Sequence, residues 1–111
     1  LAMIGEVKGK HVLLVDDMID TAGTLVSAAN LLSKKGAKTV RAAATHGIFS
    51  GSAIERINAS SIEEVLITDT ILQRSDIAKH PKIKIITVAP LLAKAIQKLL
   101  SGESLSRDLI L

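Results

Sequence analysis

The chain has 111 residues, 48% hydrophobic and 23% charged, with a formal net charge of +3. That length and balance describe one globular domain, or part of one, around a single core, and exclude a disordered chain. With no cysteine, disulfides, thiolate nucleophiles and cysteine-ligated zinc are excluded; with Phe49 as its lone aromatic, so are the stacking platforms of single-strand nucleic-acid binders. The chain opens at Leu1 and not at a methionine, which suggests a processed chain or a piece of something larger.

In chain order, residues 11–15 (HVLLV) form a continuous apolar run, which predicts a strand buried on both faces. A loop is expected from Asp16 to about Gly23, followed by a helix over 24–35 with Leu25, Ala28, Ala29 and Leu32 on one face. Lys34 and Lys35 suit its last turn, and Gly36 suits the left-handed residue just past its end. Residues 39–44 predict a second strand. Ser52 and Glu55 have capping-box spacing ahead of a short helix over 53–58. Residues 64–68 and 83–88 predict the third and fourth strands, separated by a polar, irregular stretch. Pro90 suits the first position of a helix running through LLAKAIQKLL, with Gly102 ending it.

Strands alternating with helices predict an α/β domain, a mostly parallel sheet flanked by helices. Such sheets bind ligands beyond the carboxyl ends of their strands. Asp16 and Asp17 are expected just past the end of the first strand, so the site is sought there. Carboxylates accept hydrogen bonds from sugar hydroxyls and bind hard cations, and Mg²⁺ would relieve the repulsion between two adjacent acids. The following turn, Asp20-Thr21-Ala22-Gly23-Thr24, opens a helix whose first backbone N–H groups are unpaired and favour an anion. Ala22 and Gly23 allow a phosphate close to the backbone, and Thr21 and Thr24 add hydroxyl donors. A solvated acidic loop ahead of a helix capped by Thr24 is the plainer alternative. Together, the acids and the turn have the dimensions of a sugar-phosphate site.

VLLVDDMIDTAGT resembles the ribose-phosphate motif of the type I phosphoribosyltransferase fold, in the form found in the ribose-phosphate pyrophosphokinase (phosphoribosyl pyrophosphate synthetase) family. The similarity continues in GEVKGKHV, KKGAKTVRAAATHGIFSGSAIERI, IEEVLITDTI, PLLAKAI and SGESLS, nearly the whole chain. It implies transfer of diphosphate from ATP to the 1-hydroxyl of ribose 5-phosphate, with Mg²⁺, giving phosphoribosyl pyrophosphate and AMP for nucleotide biosynthesis. By motif position, Asp20, Thr21, Ala22, Gly23 and Thr24 would hold the 5-phosphate. Asp16 and Asp17 would face the ribose hydroxyls and their metal.

In that family the ATP-binding residues, a metal-binding histidine and a loop with catalytic lysine and arginine precede this segment. Residues 1–111 are therefore expected to be an incomplete phosphoribosyltransferase-like domain, the C-terminal part of a larger two-domain enzyme. ATP would act through the missing part, no catalytic residue lies in this segment, and the isolated chain would bind ribose phosphate without turnover. The resemblance further implies a cytoplasmic protein, homo-oligomeric in full-length form.

Ser104 and Ser106 match a family tail that helps form a regulatory subunit interface, but RDLIL replaces the family's aromatic-containing ending. His46 and Asp69 follow strand ends and could border the crevice, while His11 and His80 read as structural. The lysines are dispersed, so no nucleic-acid partner is expected. No apolar stretch approaches the ~20 residues of a membrane span, and no membrane partner is expected.

Three rivals share some of these features. A phosphoribosyltransferase shares the fold and cradle, but ATHGIFSGSA and PLLAKAI match the synthetase better. A non-catalytic regulatory subunit related to the synthetase would tend to lose the Asp-Thr-Ala-Gly-Thr pattern kept here. A response-regulator receiver domain also has paired acids after such a strand, yet TVAPLLAKA places proline where it needs lysine.

Overall fold

The computed structural model describes residues 5–106; the RDLIL ending lies outside the described residues. Its elements run β1 (His11–Ile19), α1 (Gly23–Lys34), β2 (Thr39–Gly47), α2 (Ala53–Asn58), β3 (Ile62–Thr68), α3 (Ser75–Ala78), β4 (Ile83–Ile86) and α4 (Ala89–Ser101). The strands form one parallel sheet in the order β1-β2-β3-β4. Successive right-handed crossovers that step in one direction across a sheet leave their helices on one face. Accordingly α1 packs on β1, β2 and β3 and also touches α2, while α3 packs on β4.

Local chemistry explains the boundaries that were legible. Helix α1 ends where Gly36 takes φ 96, with its N–H donating to the Ser33 carbonyl and that of Ala37 to the Leu32 carbonyl. This pair of bonds is the Schellman closure expected of a glycine there. Gly102 likewise ends α4 at φ 75, while the helix begins at Ala89, which makes Pro90 its second residue and not its first. Helix α2 has the expected bounds, but the Ser52 hydroxyl makes no capping bond. The four-residue α3, inside the stretch expected to be irregular, is too short for any periodicity to announce it.

The core lies between the sheet and its helices. Val40, Ala42 and Ala44 of β2, Val65 and Ile67 of β3, Ile57 of α2, Ile77 of α3 and Phe49 are buried. Ala29, Ala42 and Ala53 are wholly buried within that layer.

Strand β1 departs from the expectation of burial on both faces. Val12 and Leu14 are half-buried against the core, whereas Leu13 and Val15 are 54% and 75% exposed. An apolar run signals two covered faces, but among the described residues nothing covers the second. Helix α4 buries none of its side chains, so its apolar Leu92, Ile96 and Leu99 also stand exposed.

β1 is also longer than expected. Its ladder with β2 continues past Val15 through Asp16↔Ala44, Met18↔His46 and Ile19↔Gly47. Asp16 and Asp17 therefore lie within the last part of the strand and not beyond it. β2 gains residues for the same reason, whereas β4 ends at Ile86, short of Val88.

Candidate functional site

The chain leaves β1 at Ile19 and enters α1 at Gly23, so residues 20–22 make the whole connection. Ala22, not Thr24, is the helix N-cap, with φ 66 and ψ 8. No side chain caps α1, and no acidic residue sits in its first turn. The N–H groups there have no local carboxylate or hydroxyl competing for them, which leaves the helix end open to an anion.

A cleft of about 180 Å³ lies against this turn, lined by Asp16, Met18 and residues 19–25. It brings together Asp16, Asp20, Thr21, Ala22, Gly23 and Thr24. Asp17 is not part of its lining. Successive residues of a strand project to opposite sides of the sheet, so adjacent carboxylates diverge. Between the two residues, the Asp17 N–H donates to Asp16 Oδ1 at 2.8 Å.

The turn is held from the β2–α2 connection, which no reading of residues 16–24 alone includes. The Ile19 carbonyl accepts the N–H groups of Ile48 and Phe49 at 2.9 and 3.2 Å. The Ser50 N–H donates to the Asp20 carbonyl at 3.1 Å, and the Ser50 hydroxyl donates to the Asp20 carboxylate. From α2, Arg56 Nη1 donates to the Thr21 carbonyl at 2.9 Å. Ser50 and Arg56 were not among the expected site residues. Their distance along the chain, 30 and 35 positions from their partners, gave no local signal.

A further layer braces that connection. Gln73 Nε2 donates to the Gly47 carbonyl at 2.6 Å, and Arg74 Nη2 donates to the Phe49 carbonyl at 3.4 Å. Nearby, His46 Nδ1 lies 2.7 Å from Thr70 Oγ1. His46 thus joins the strand ends to one another and is absent from the cleft lining. Ser104 and Ser106 bond to each other at 2.8 Å near the end of the described chain, exposed, and neither lines the cleft.

Asp69 ties the far strand ends together: its Oδ1 accepts the Val88 N–H at 2.9 Å. The Thr87 hydroxyl and then the Val88 N–H hold its carboxyl below the usual carboxylate range of about 3.9. A depressed folded pKa adds stability above the unfolded value, and that stability disappears as pH falls through the lowered one. Wild type should therefore exceed Asp69→Asn in stability at neutral pH, with the difference closing as pH falls below about 4. Urea midpoints measured from pH 7 to pH 2 test this; a difference independent of pH would refute it.

Among the described residues, no cluster of three histidine, aspartate or glutamate side chains could hold a metal unaided. None of the described helices is long and apolar enough to cross a membrane.

A family model described as phosphoribosyl synthetase-associated domain matches residues 1–109. The ribose-phosphate pyrophosphokinase of Aquifex aeolicus is 49% identical over 94% of this chain and 33% of its own length. That of Caldanaerobacter subterraneus is 54% identical over 95% of this chain and 33% of the relative. Ribose-phosphate pyrophosphokinase A of Dictyostelium discoideum is 50% identical, with shares of 96% and 33%. The chain spans about a third of the length of these curated relatives. In structure it is similar to the phosphoribosylpyrophosphate synthetase of Mycobacterium smegmatis, with a TM-score of 0.83 and 42% identity over 89% of this chain and 33% of that one.

Proposed function

We propose, for a chain that belongs to the phosphoribosyl synthetase-associated domain family, that it supplies the ribose 5-phosphate site of a ribose-phosphate pyrophosphokinase. The observation that carries this reading is the cleft joining Asp16 to the uncapped turn 20–24. Phosphate would sit on the backbone N–H groups at the start of α1, with the Thr21 and Thr24 hydroxyls beside it. A negatively charged group gains there from the helix end as well as from direct hydrogen bonds. Asp16 would accept from the ribose hydroxyls across the cleft, with Asp17 completing the acidic strand end.

A divalent cation fits this donor set in a limited way. Asp16, exposed on the cleft, suits Mg²⁺, which keeps several waters and uses one or two carboxylates together with substrate oxygens. When bound, it would supply charge neutralisation at the ribose hydroxyls. The rest of the site's work falls to the chain itself: holding the phosphate, and orienting the sugar toward the exit of β1.

The complete reaction, diphosphate transfer from ATP, belongs on this reading to a two-domain enzyme of which residues 1–111 form the C-terminal unit. The relatives' threefold greater length supports that, as does the exposed apolar side of β1, which an upstream part of the longer chain would cover. Alone, the chain binds ribose 5-phosphate and does not turn it over, because the phosphoryl-neutralising cations lie elsewhere.

Titrating ¹⁵N-labelled protein with ribose 5-phosphate, with and without Mg²⁺, tests the reading. Saturable shifts centred on Gly23 and Thr24 are expected, absent with ribose. Shifts of equal size with ribose, or none in a folded sample, would refute it.

A further inference from the structure

We propose that Arg56 is the positioning residue of the phosphate turn, acting through the carbonyl of Thr21. The proposal rests on the reading of residues 20–24 as the phosphate cradle, and deepens it by assigning what holds the cradle open.

Left to itself, the turn has little to keep its shape. Its N-cap, Ala22, adopts a left-handed conformation that is uncommon for any residue with a Cβ, and no side chain caps the helix it opens. Such a conformation persists where the surroundings over-determine it. On one side Ser50 holds Asp20 through both backbone and side chain. On the other, Arg56 Nη1 reaches Thr21 at 2.9 Å and would lie 3.9 Å from a Cβ built at Gly23.

The choice of acceptor matters. The Thr21 carbonyl belongs to the same planar trans peptide as the Ala22 N–H, so the two point in opposite directions. By drawing that carbonyl toward α2, Arg56 turns the Ala22 N–H the other way. Arg56 lines a neighbouring concavity with Val26 and Ser27, which shares Gly23 and Thr24 with the cleft but does not include Asp16. It is therefore placed to orient the turn from behind. Its fixed charge also adds positive potential beside the bound anion.

Arg56 is anchored for this task. The following residue, Ile57, is wholly buried, as is Ala53 at the start of the same helix, so α2 is pinned to the core while Arg56 itself is exposed. Truncating it removes no core contact. A role confined to stability would move the melting temperature and leave the amides of the turn alone.

The experiment compares wild type, Arg56→Ala and Arg56→Lys, following Ala22–Thr24 amide shifts without ligand and then ribose 5-phosphate affinity. Arg56→Ala should displace the Ala22 amide resonance in the free chain and weaken binding about tenfold, the scale of one charge-assisted hydrogen bond. Arg56→Lys, which keeps a cationic donor, should recover most of both effects, with melting temperatures unchanged throughout. Should Arg56→Ala not fold, Arg56→Gln, which keeps a longer stem but no charge, takes its place with the same expected loss. Wild-type binding with an equally tight, unshifted Arg56→Ala variant would overturn the proposal alone. No wild-type binding would remove the cradle reading, and this proposal with it.

Discussion

Phe49→Ala should destabilise the chain by about 3–5 kcal/mol, the usual range for emptying a buried aromatic site. Phe49 is 1% exposed and is the only aromatic residue in the chain. Its ring occupies space that would otherwise be open beside Gly47: a Cβ added there would stand 2.6 Å from Phe49 Cε2 and 2.8 Å from Ile67 Cδ1. Glycine at 47 and phenylalanine at 49 are thus complementary halves of one packing arrangement over β3. Residues 50–52 of the connection are Ser-Gly-Ser and offer no large side chain to refill the space, and Ile48 on the other side is exposed. For a domain whose total stability is of the order of 5–15 kcal/mol, the loss is a large fraction. Urea unfolding measures it as a lower midpoint with an unchanged slope. Phe49→Leu should be milder, and a cost below about 1 kcal/mol for alanine would show that the site collapses freely.

The second large effect is expected at Ala22, and it concerns binding more than folding. Ala22→Val places a β-branched side chain at φ 66, where such residues are genuine outliers, in a position only 6% exposed. Strain of about 1–2 kcal/mol in the backbone combines with overpacking of about 1–3 kcal/mol. The simplest relief is a return to negative φ, which rotates the adjoining peptides and turns the cradle's N–H groups away from the cleft. Ribose 5-phosphate affinity should fall by more than about tenfold, a change of at least ~1.4 kcal/mol. Ala22→Gly adopts the same backbone without steric cost and should bind as wild type does. Isothermal titration of the two variants separates the cases. Valine binding as tightly as alanine would show that the left-handed conformation is not needed for the ligand.

Much of the fold was legible because its signals are local. The apolar runs became strands, and the alternation of strands with helices became a parallel sheet. Gly36 and Gly102 marked helix ends that a left-handed residue closes, and α2 has the bounds read from the Ser52–Glu55 spacing although Ser52 makes no capping bond. At the site, the small residues and hydroxyls of 21–24 pointed to an open helix start, which is what the cleft contains.

Other features had no local signature. Alanine does not advertise a positive φ, so Gly23 was the natural candidate for the turn's freedom and Thr24 for the cap. Instead Ala22 takes the strained position, held by Ser50 and Arg56 from the β2–α2 side. The two acids read as an equivalent pair because they are neighbours in the chain. Pairing of β1 with residues 44–47 carried the strand through them, leaving Asp16 on the cleft and Asp17 outside its lining.

The sequence by itself determined most of the elements, their parallel arrangement and the small-residue turn that opens α1, because those follow from backbone preferences and side-chain periodicity within a few residues. Only the tertiary structure decided which face of β1 is covered, which acid lines the cleft and what braces the turn. Those outcomes depend on strand register and on hydrogen bonds between residues some thirty positions apart, and such contacts are specified by packing of the whole domain and not by any short stretch of it.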